Sequence, residues 1–135
     1  MKTKLFLFSA LVATMMFTLV SCKKDKANDP TKVYPKNVSI EYKCTVASGT
    51  PSGLSIIYSN ESGGSSTLTN VVLPFSKKIN RTVNANDDVT MGFTGVGPGG
   101  VKGEIYVDGK LVDSKTASSN SSSNSFTETV LYVWQ

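Results

Sequence analysis

Asn37-Val38-Ser39-Ile40-Glu41-Tyr42-Lys43-Cys44-Thr45-Val46 carries the clearest structural signal in the chain. Val38, Ile40, Tyr42, Cys44 and Val46 take every second position, and Ser39, Glu41, Lys43 and Thr45 fill the gaps. Successive side chains point to opposite faces only in extended backbone, so a period of two marks a strand with one face in a core. Cys44 falls in the apolar row, which predicts a buried, inert thiol.

Downstream, the same period recurs between turn signals. Ser48-Gly49-Thr50-Pro51-Ser52-Gly53 ends the first strand near Ala47. Residues 54–59 form a second strand with Leu54, Ile56 and Tyr58 on one face, and Asn60-Glu61-Ser62-Gly63-Gly64 is a hairpin loop. A third strand is predicted over about 66–73, where Pro74 makes its end an edge or a bend. Phe75, Ile79 and Val83 form a row interrupted by Lys77 and Arg81, as in a half-exposed strand. Residues 84–88 turn the chain, and Val89, Met91 and Phe93 begin another strand.

Thr94 to Gly100 reads as a glycine-rich loop. It is not a phosphate cradle, because no helix follows whose N-terminus could face an anion. A strand over 101–107 closes at Asp108-Gly109, a strong hairpin signal, and returns over 110–116. Ser118 to Ser125 is low-complexity Ser/Asn and reads as a mobile loop. In the last strand, 126–134, Phe126, Val130, Tyr132 and Trp134 share a face with Glu128. No stretch after Cys22 repeats at the helical period of about 3.6. About seven or eight short strands separated by Gly, Pro and Asn turns imply an all-β, antiparallel β-sandwich.

Upstream, Met1 to Cys22 has the three parts of a secretory signal. Lys2 and Lys4 supply the charge, and residues 5–20 form an uncharged, mostly apolar run. That run, about 16 residues, falls short of the ~20 needed to span a bilayer. It ends in Leu19-Val20-Ser21-Cys22, which resembles the lipobox of bacterial lipoproteins. Only a thiol readily takes the diacylglycerol thioether, and a small Ser21 admits the signal peptidase. The expectation is therefore a signal peptide over 1–21, removed, with Cys22 lipidated by fatty acyl chains such as palmitate. Each buried methylene adds ~0.8 kcal/mol of membrane affinity. Residues 22–33 are polar and aperiodic and read as a flexible tether, leaving 34–135 as one domain. The tether faintly resembles the charged tag of surface-exposed lipoproteins, which implies an address on the cell envelope, at the outer membrane or cell surface.

This division also locates the charge. The formal net charge is +4. It resides in the signal and in a tether holding Lys23, Lys24, Lys26 and Lys32 against Asp25 and Asp29; from Tyr34 onward acids and bases balance. A neutral domain has no electrostatic footprint for nucleic acid. With Cys22 lipidated, Cys44 has no internal partner and no disulfide framework is possible.

Several blocks together resemble the extracytoplasmic domain of the MmpS family, small membrane proteins that accompany RND-type lipid exporters. They are Tyr42 to Thr45, Ser55-Ile56-Ile57-Tyr58-Ser59-Asn60-Glu61-Ser62-Gly63, Val72-Leu73-Pro74-Phe75-Ser76-Lys77, and Ile105-Tyr106-Val107-Asp108-Gly109-Lys110-Leu111-Val112. The resemblance spans roughly Glu41 to Ser114. It implies an Ig-like β-sandwich and a role as accessory to an envelope transporter. The chain departs from that family in carrying a lipid anchor in place of a transmembrane helix. It also has Gly103-Glu104 near where the family places a cysteine.

No constellation for catalysis is visible. Histidine is absent, which removes any Ser-His-Asp triad and the commonest metal ligand. Asp87-Asp88, Asp108 and Asp113 read as turn-formers, and no run is spaced like a calcium loop. Neither a cofactor nor a metal is expected. Most aromatics fall in apolar rows, but Tyr106 faces opposite to Val101, Ile105 and Val107. With Trp134 it is the candidate for ligand or partner contact. Two readings follow: a non-enzymatic, lipid-anchored accessory or interaction module of the cell envelope, or a surface carbohydrate-binding or adhesion module in which Tyr106 and Trp134 stack on a glycan.

Overall fold

A computed structural model describes residues 33–135; the signal segment, Cys22 with its lipobox and the tether up to Lys32 lie outside the described residues. The described chain forms two four-stranded antiparallel sheets and no helix. One sheet has the order β4-β1-β6-β7, built from Phe75–Val83, Lys36–Gly49, Gly99–Val107 and Lys110–Ser119. The other has the order β3-β2-β5-β8, built from Ser65–Leu68, Ser52–Ser59, Asp88–Val96 and Ser125–Val133. The two sheets share one apolar core, which makes the fold a β-sandwich.

The alternating row of β1 enters that core as its period demands: Val38, Ile40, Tyr42 and Cys44 are all buried. They meet Leu54, Ile56 and Tyr58 of β2 and Val89, Met91 and Phe93 of β5. β1 is flanked on both sides, by β4 along Lys36 to Cys44 and by β6 along Ile40 to Gly49. β6 packs tightly against the opposite sheet at Gly103. A side chain at Gly103 would place its Cβ 2.5 Å from Phe93 Cε1 and 2.9 Å from Met91 Cε, so only glycine leaves room for the Phe93 ring. Nearby, the Tyr42 hydroxyl donates to the Ser59 carbonyl of the opposite sheet at 2.7 Å, fully buried. Arg81 ties β4 to the start of β5, its Nη1 donating to the Asp88 carbonyl at 3.0 Å. At the other margin, Leu131 N–H of β8 donates to the Asp113 carboxylate of β7 at 3.2 Å.

Four expectations from the sequence need correction. Val46 keeps its register opposite Val101 but is 52% exposed, because it borders an open recess beside Leu54, Val71 and Leu73 at the end of the sandwich instead of the closed core. The third strand ends at Leu68 rather than near Leu73; Asn70 takes φ +54 and Val71 N–H donates to the Leu54 carbonyl instead. Thr94 to Gly100 is not a loop. β5 runs through Val96 and β6 begins at Gly99, where φ is +137 and a Cβ would lie 2.5 Å from the Ser48 carbonyl. Ser118 to Ser125 is likewise shorter than expected, since β7 continues through Ser119 and β8 starts at Ser125. Its linking residues are fixed by backbone bonds from Gly97 N–H to Asn124 O and from Asn124 N–H to Ser121 O.

The two outer faces differ in chemistry. On the first sheet, Lys43 pairs with Glu41 at 3.4 Å and Lys102 with Glu104 at 2.5 Å. The second presents Ser55, Ile57, Thr94, Thr127 and Thr129 around Gly92, with Glu128 the one charged residue bordering them.

Two substitutions test the core. Gly103→Ala pushes a methyl group into the Phe93 ring and is expected to cost ~1–3 kcal/mol, as overpacking does. Tyr42→Phe removes the buried bond between sheets and is expected to cost about 1 kcal/mol. Urea denaturation curves measure both, and an unchanged midpoint for Gly103→Ala would contradict the contact.

Candidate functional site

A concavity opens at one end of the sandwich, where the start of β1, the β6–β7 hairpin and the end of β8 converge. Its main recess has a volume of about 930 Å³ and is lined by Tyr34, Lys36, Asp108, Lys110, Tyr132 and neighbouring residues. A second recess of about 310 Å³ shares Lys36, Val107, Lys110 and Tyr132, and adds Leu111, Val112 and Trp134.

Each wall has a local cause. Asp108 and Gly109 make the hairpin turn at φ +50 and +80. Asp108 then locks it to β1 twice: its N–H donates to the Ser39 carbonyl, and its Oδ1 accepts from Ser39 N–H, both at 2.8 Å. Beyond the turn the β6–β7 register shifts between Ile105 and Tyr106, and Val112 falls in that irregularity beside the recess. Trp134 is held by its backbone, donating to Asp87 O at 3.0 Å and accepting from Asn86 N–H at 2.8 Å. Its ring meets Tyr132 edge-on, with centroids 5.2 Å apart. The Tyr34 hydroxyl donates to the Gln135 carbonyl at 3.2 Å, and Lys36 Nζ lies 5.0 Å from the Tyr34 ring centroid. The first and last described segments thus form one wall.

The recess combines apolar side chains with tyrosine, tryptophan and lysine, a composition suited to an amphipathic ligand or partner. The Trp134 indole is the unusual element. The residue is 1% exposed, and its Nε1–H has no hydrogen-bond partner. Among the described residues no group of three or more His, Cys, Asp or Glu is gathered as a metal site requires.

Tyr106 and Trp134, paired in the sequence reading, do not form a platform. Trp134, just past the end of β8, is packed in the core, because it continues the inward parity of Phe126 and Val130. Tyr106 lies on the outer face of the first sheet, where Lys43 Nζ sits 4.5 Å from its ring centroid and its hydroxyl donates to Glu104 at 3.3 Å. There it belongs to the charged lattice, in which the Ser76 hydroxyl and then Lys43 hold the Glu41 carboxyl below its ordinary range. The lipidation site Cys22 lies outside the described residues. Tyr34, Lys36 and Lys110 escape a reading of the sequence, since only the topology brings residues 34, 110 and 132 together.

No protein-family model matches the chain, and no curated protein matches it.

Cys44 is the one thiol among the described residues, buried, with its Sγ 3.8 Å from Met91 Sδ. Burial, and to a lesser degree Glu104, pushes it up to about 12 from an ordinary 9.0. Below pH 9 folded and unfolded chains both keep this proton. Above it the unfolded chain releases the proton first, so this contribution to stability is expected to fall as pH rises from 9 and to be lost beyond 12. Burial raises Tyr42 as well, which acts in the same direction. Denaturation curves between pH 8 and 11 test the slope. A disulfide reagent at pH 8 is expected to leave Cys44 unlabelled until the chain unfolds; rapid labelling of the native protein would contradict its burial.

Proposed function

We propose that the protein is a non-enzymatic, lipid-anchored module of the bacterial cell envelope that meets its partner through the recess at the end of the sandwich. The observation that carries this reading is positional. The recess is built around Tyr34 and Lys36, the residues that follow the tether, so it lies at the end from which the tether leaves. From Cys22 to Val33 the chain can extend about 40 Å at most, at ~3.3–3.6 Å per residue, so the recess stays close to the bilayer. Lipidation of Cys22, removal of residues 1–21 and an address at the outer membrane or cell surface belong to this proposal and rest on the lipobox.

The likeness to the MmpS family supports an Ig-like strand arrangement and a role beside an envelope transporter. Gly103 marks a departure from that family: Phe93 fills the space beside it, and Cys44 opposite it in the β1–β6 ladder is unpaired. A glycan-binding role would need exposed rings. Tyr34 and Tyr132 are both partly buried in the recess walls, so a glycan array is the discriminating measurement for that alternative.

Fractionation and mass spectrometry test the anchor. The native chain is expected in the membrane fraction with acyl mass on Cys22, and denatured protein to show one free thiol. Cys22→Ser is expected to move the protein out of the membrane; a persistent membrane fraction or two free thiols would remove the anchor. Crosslinking in membranes is expected to capture an envelope protein, with capture lost when Tyr132→Ala opens the recess wall.

A further inference from the structure

We infer that the outer face of the second sheet is an interface with a second copy of this chain, formed about a twofold axis that runs along the strands between β2 and β5. The inference goes beyond the proposed function and needs neither the anchor nor the recess.

Three observations favour that occupant. First, the face is nearly free of charge. Its outward rows hold Ser, Thr, Gly and aliphatic residues, and Asp88 at the start of β5 is their one ionisable member. Asp88, and Glu61 in the β2–β3 loop, stand at the end margin, open to water and screened by salt. Glu128 shares the row of Phe126 and Val130, and its Oε1 accepts from Thr129 N–H at 2.9 Å. An isologous contact sets a surface against itself, so charges on it must be desolvated or repel their own copies. The first sheet, with Glu41, Lys43, Lys102 and Glu104 outward, is unsuited in that way.

Second, the hydroxyls of this face are engaged within the sheet. Those of Thr94 and Thr127 bond to each other, Thr127 Oγ1 donates to the Phe93 carbonyl at 3.2 Å, and Ser59 Oγ accepts from Thr90 N–H at 3.0 Å. A threonine whose hydroxyl turns to its neighbour presents its methyl group. Beside these stand Ile57 and Leu131, each 48% exposed. Covering such a face buries apolar surface while few hydrogen bonds to water are given up.

Third, the relief of the face is self-complementary. Thr67, Ile57, Gly92 and Thr129 stand in one row across the four strands. Gly92 has no side chain and leaves a recess of about 270 Å³, over which Ile57 leans. With the axis between β2 and β5, Ile57 of each copy comes over Gly92 of the other, and both N-terminal segments leave at the same end of the pair. Strands lie ~4.8 Å apart and rise ~3.3 Å per residue. Four strands of four to nine residues therefore present roughly 500 Å² per copy, and a pair buries about 1,000 Å², the lower bound of a specific interface.

Sedimentation velocity of the full-length protein in detergent is expected to show a dimer that dissociates on dilution. Ile57→Lys sets two cations together near the axis and is expected to raise the dissociation constant about tenfold or more. Thr116→Lys, on the outer face of the first sheet, is expected to leave it unchanged. Unchanged far-UV circular dichroism keeps misfolding apart from lost association. In membranes, a short bismaleimide is expected to link Ile57→Cys to its own copy and not Thr116→Cys, with the wild-type chain as the control for Cys22 and Cys44. A wild-type monomer at every concentration, a dimer kept by Ile57→Lys, or equal linking at positions 57 and 116 overturns the interface. A monomer that binds a glycan array and loses that binding in Ile57→Lys overturns the second copy and assigns the face to a saccharide.

Discussion

The approach of Phe93 to Gly103 sets the geometry on which the rest of the sandwich depends. With no side chain on Gly103, the ring can lie against β6, and a single added carbon would sit 2.5 Å from it. Sheet spacing is fixed there by van der Waals contact, which is steep on the repulsive side and gives little under load. Cys44, opposite Gly103 in the β1–β6 ladder, occupies the same layer as Met91 and Phe93. The bond from Tyr42 to Ser59 then fixes the lateral register of the two sheets, because a buried hydroxyl that loses its acceptor is costly. Contact sets the separation and one hydrogen bond sets the alignment.

The end at which β1 begins is organised differently. Its walls come from segments distant in sequence, and they are held by hydrogen bonds at turns and strand ends: Ser39 with Asp108, Asn86 and Asp87 with Trp134, Tyr34 with Gln135. The start of β1, the β6–β7 hairpin and the end of β8 meet there around a recess instead of a packed core. An opening is the natural result, and the lysines and tyrosines around it keep the opening wet. The contrast between the outer faces has a similar origin. The first sheet carries alternating Lys and Glu on β1 and β6, which pair along each strand, whereas the second carries mainly Ser and Thr.

Strand identity was legible in the sequence wherever one face is buried and the other wet, as in β1, β5 and β8, because alternation is a direct consequence of that asymmetry. It failed where a tertiary interaction overrides local pattern. Val46 is apolar yet exposed because it borders an open recess at the end of the sandwich. The glycines between Thr94 and Gly100 permit close backbone approach instead of looseness, as Gly99 against the Ser48 carbonyl shows. The Ser/Asn run is fixed by a bond from Gly97, which composition cannot reveal. Trp134 was singled out for its position near the end of the chain, but the parity of the β8 row already pointed it inward with Phe126 and Val130. Even so it lines the inner recess, and no pattern along the chain could have joined it to Lys36 and Lys110.

The position of β1 has a mechanical consequence. Force applied through the N-terminal segment enters the domain at this strand, which is central in its sheet and hydrogen-bonded along both margins. A pull along β1 loads the β4 and β6 ladders in shear, so many bonds must yield together instead of one after another. An edge strand in the same place would peel. Tension arriving from the N-terminal side would therefore meet a strand held along both margins.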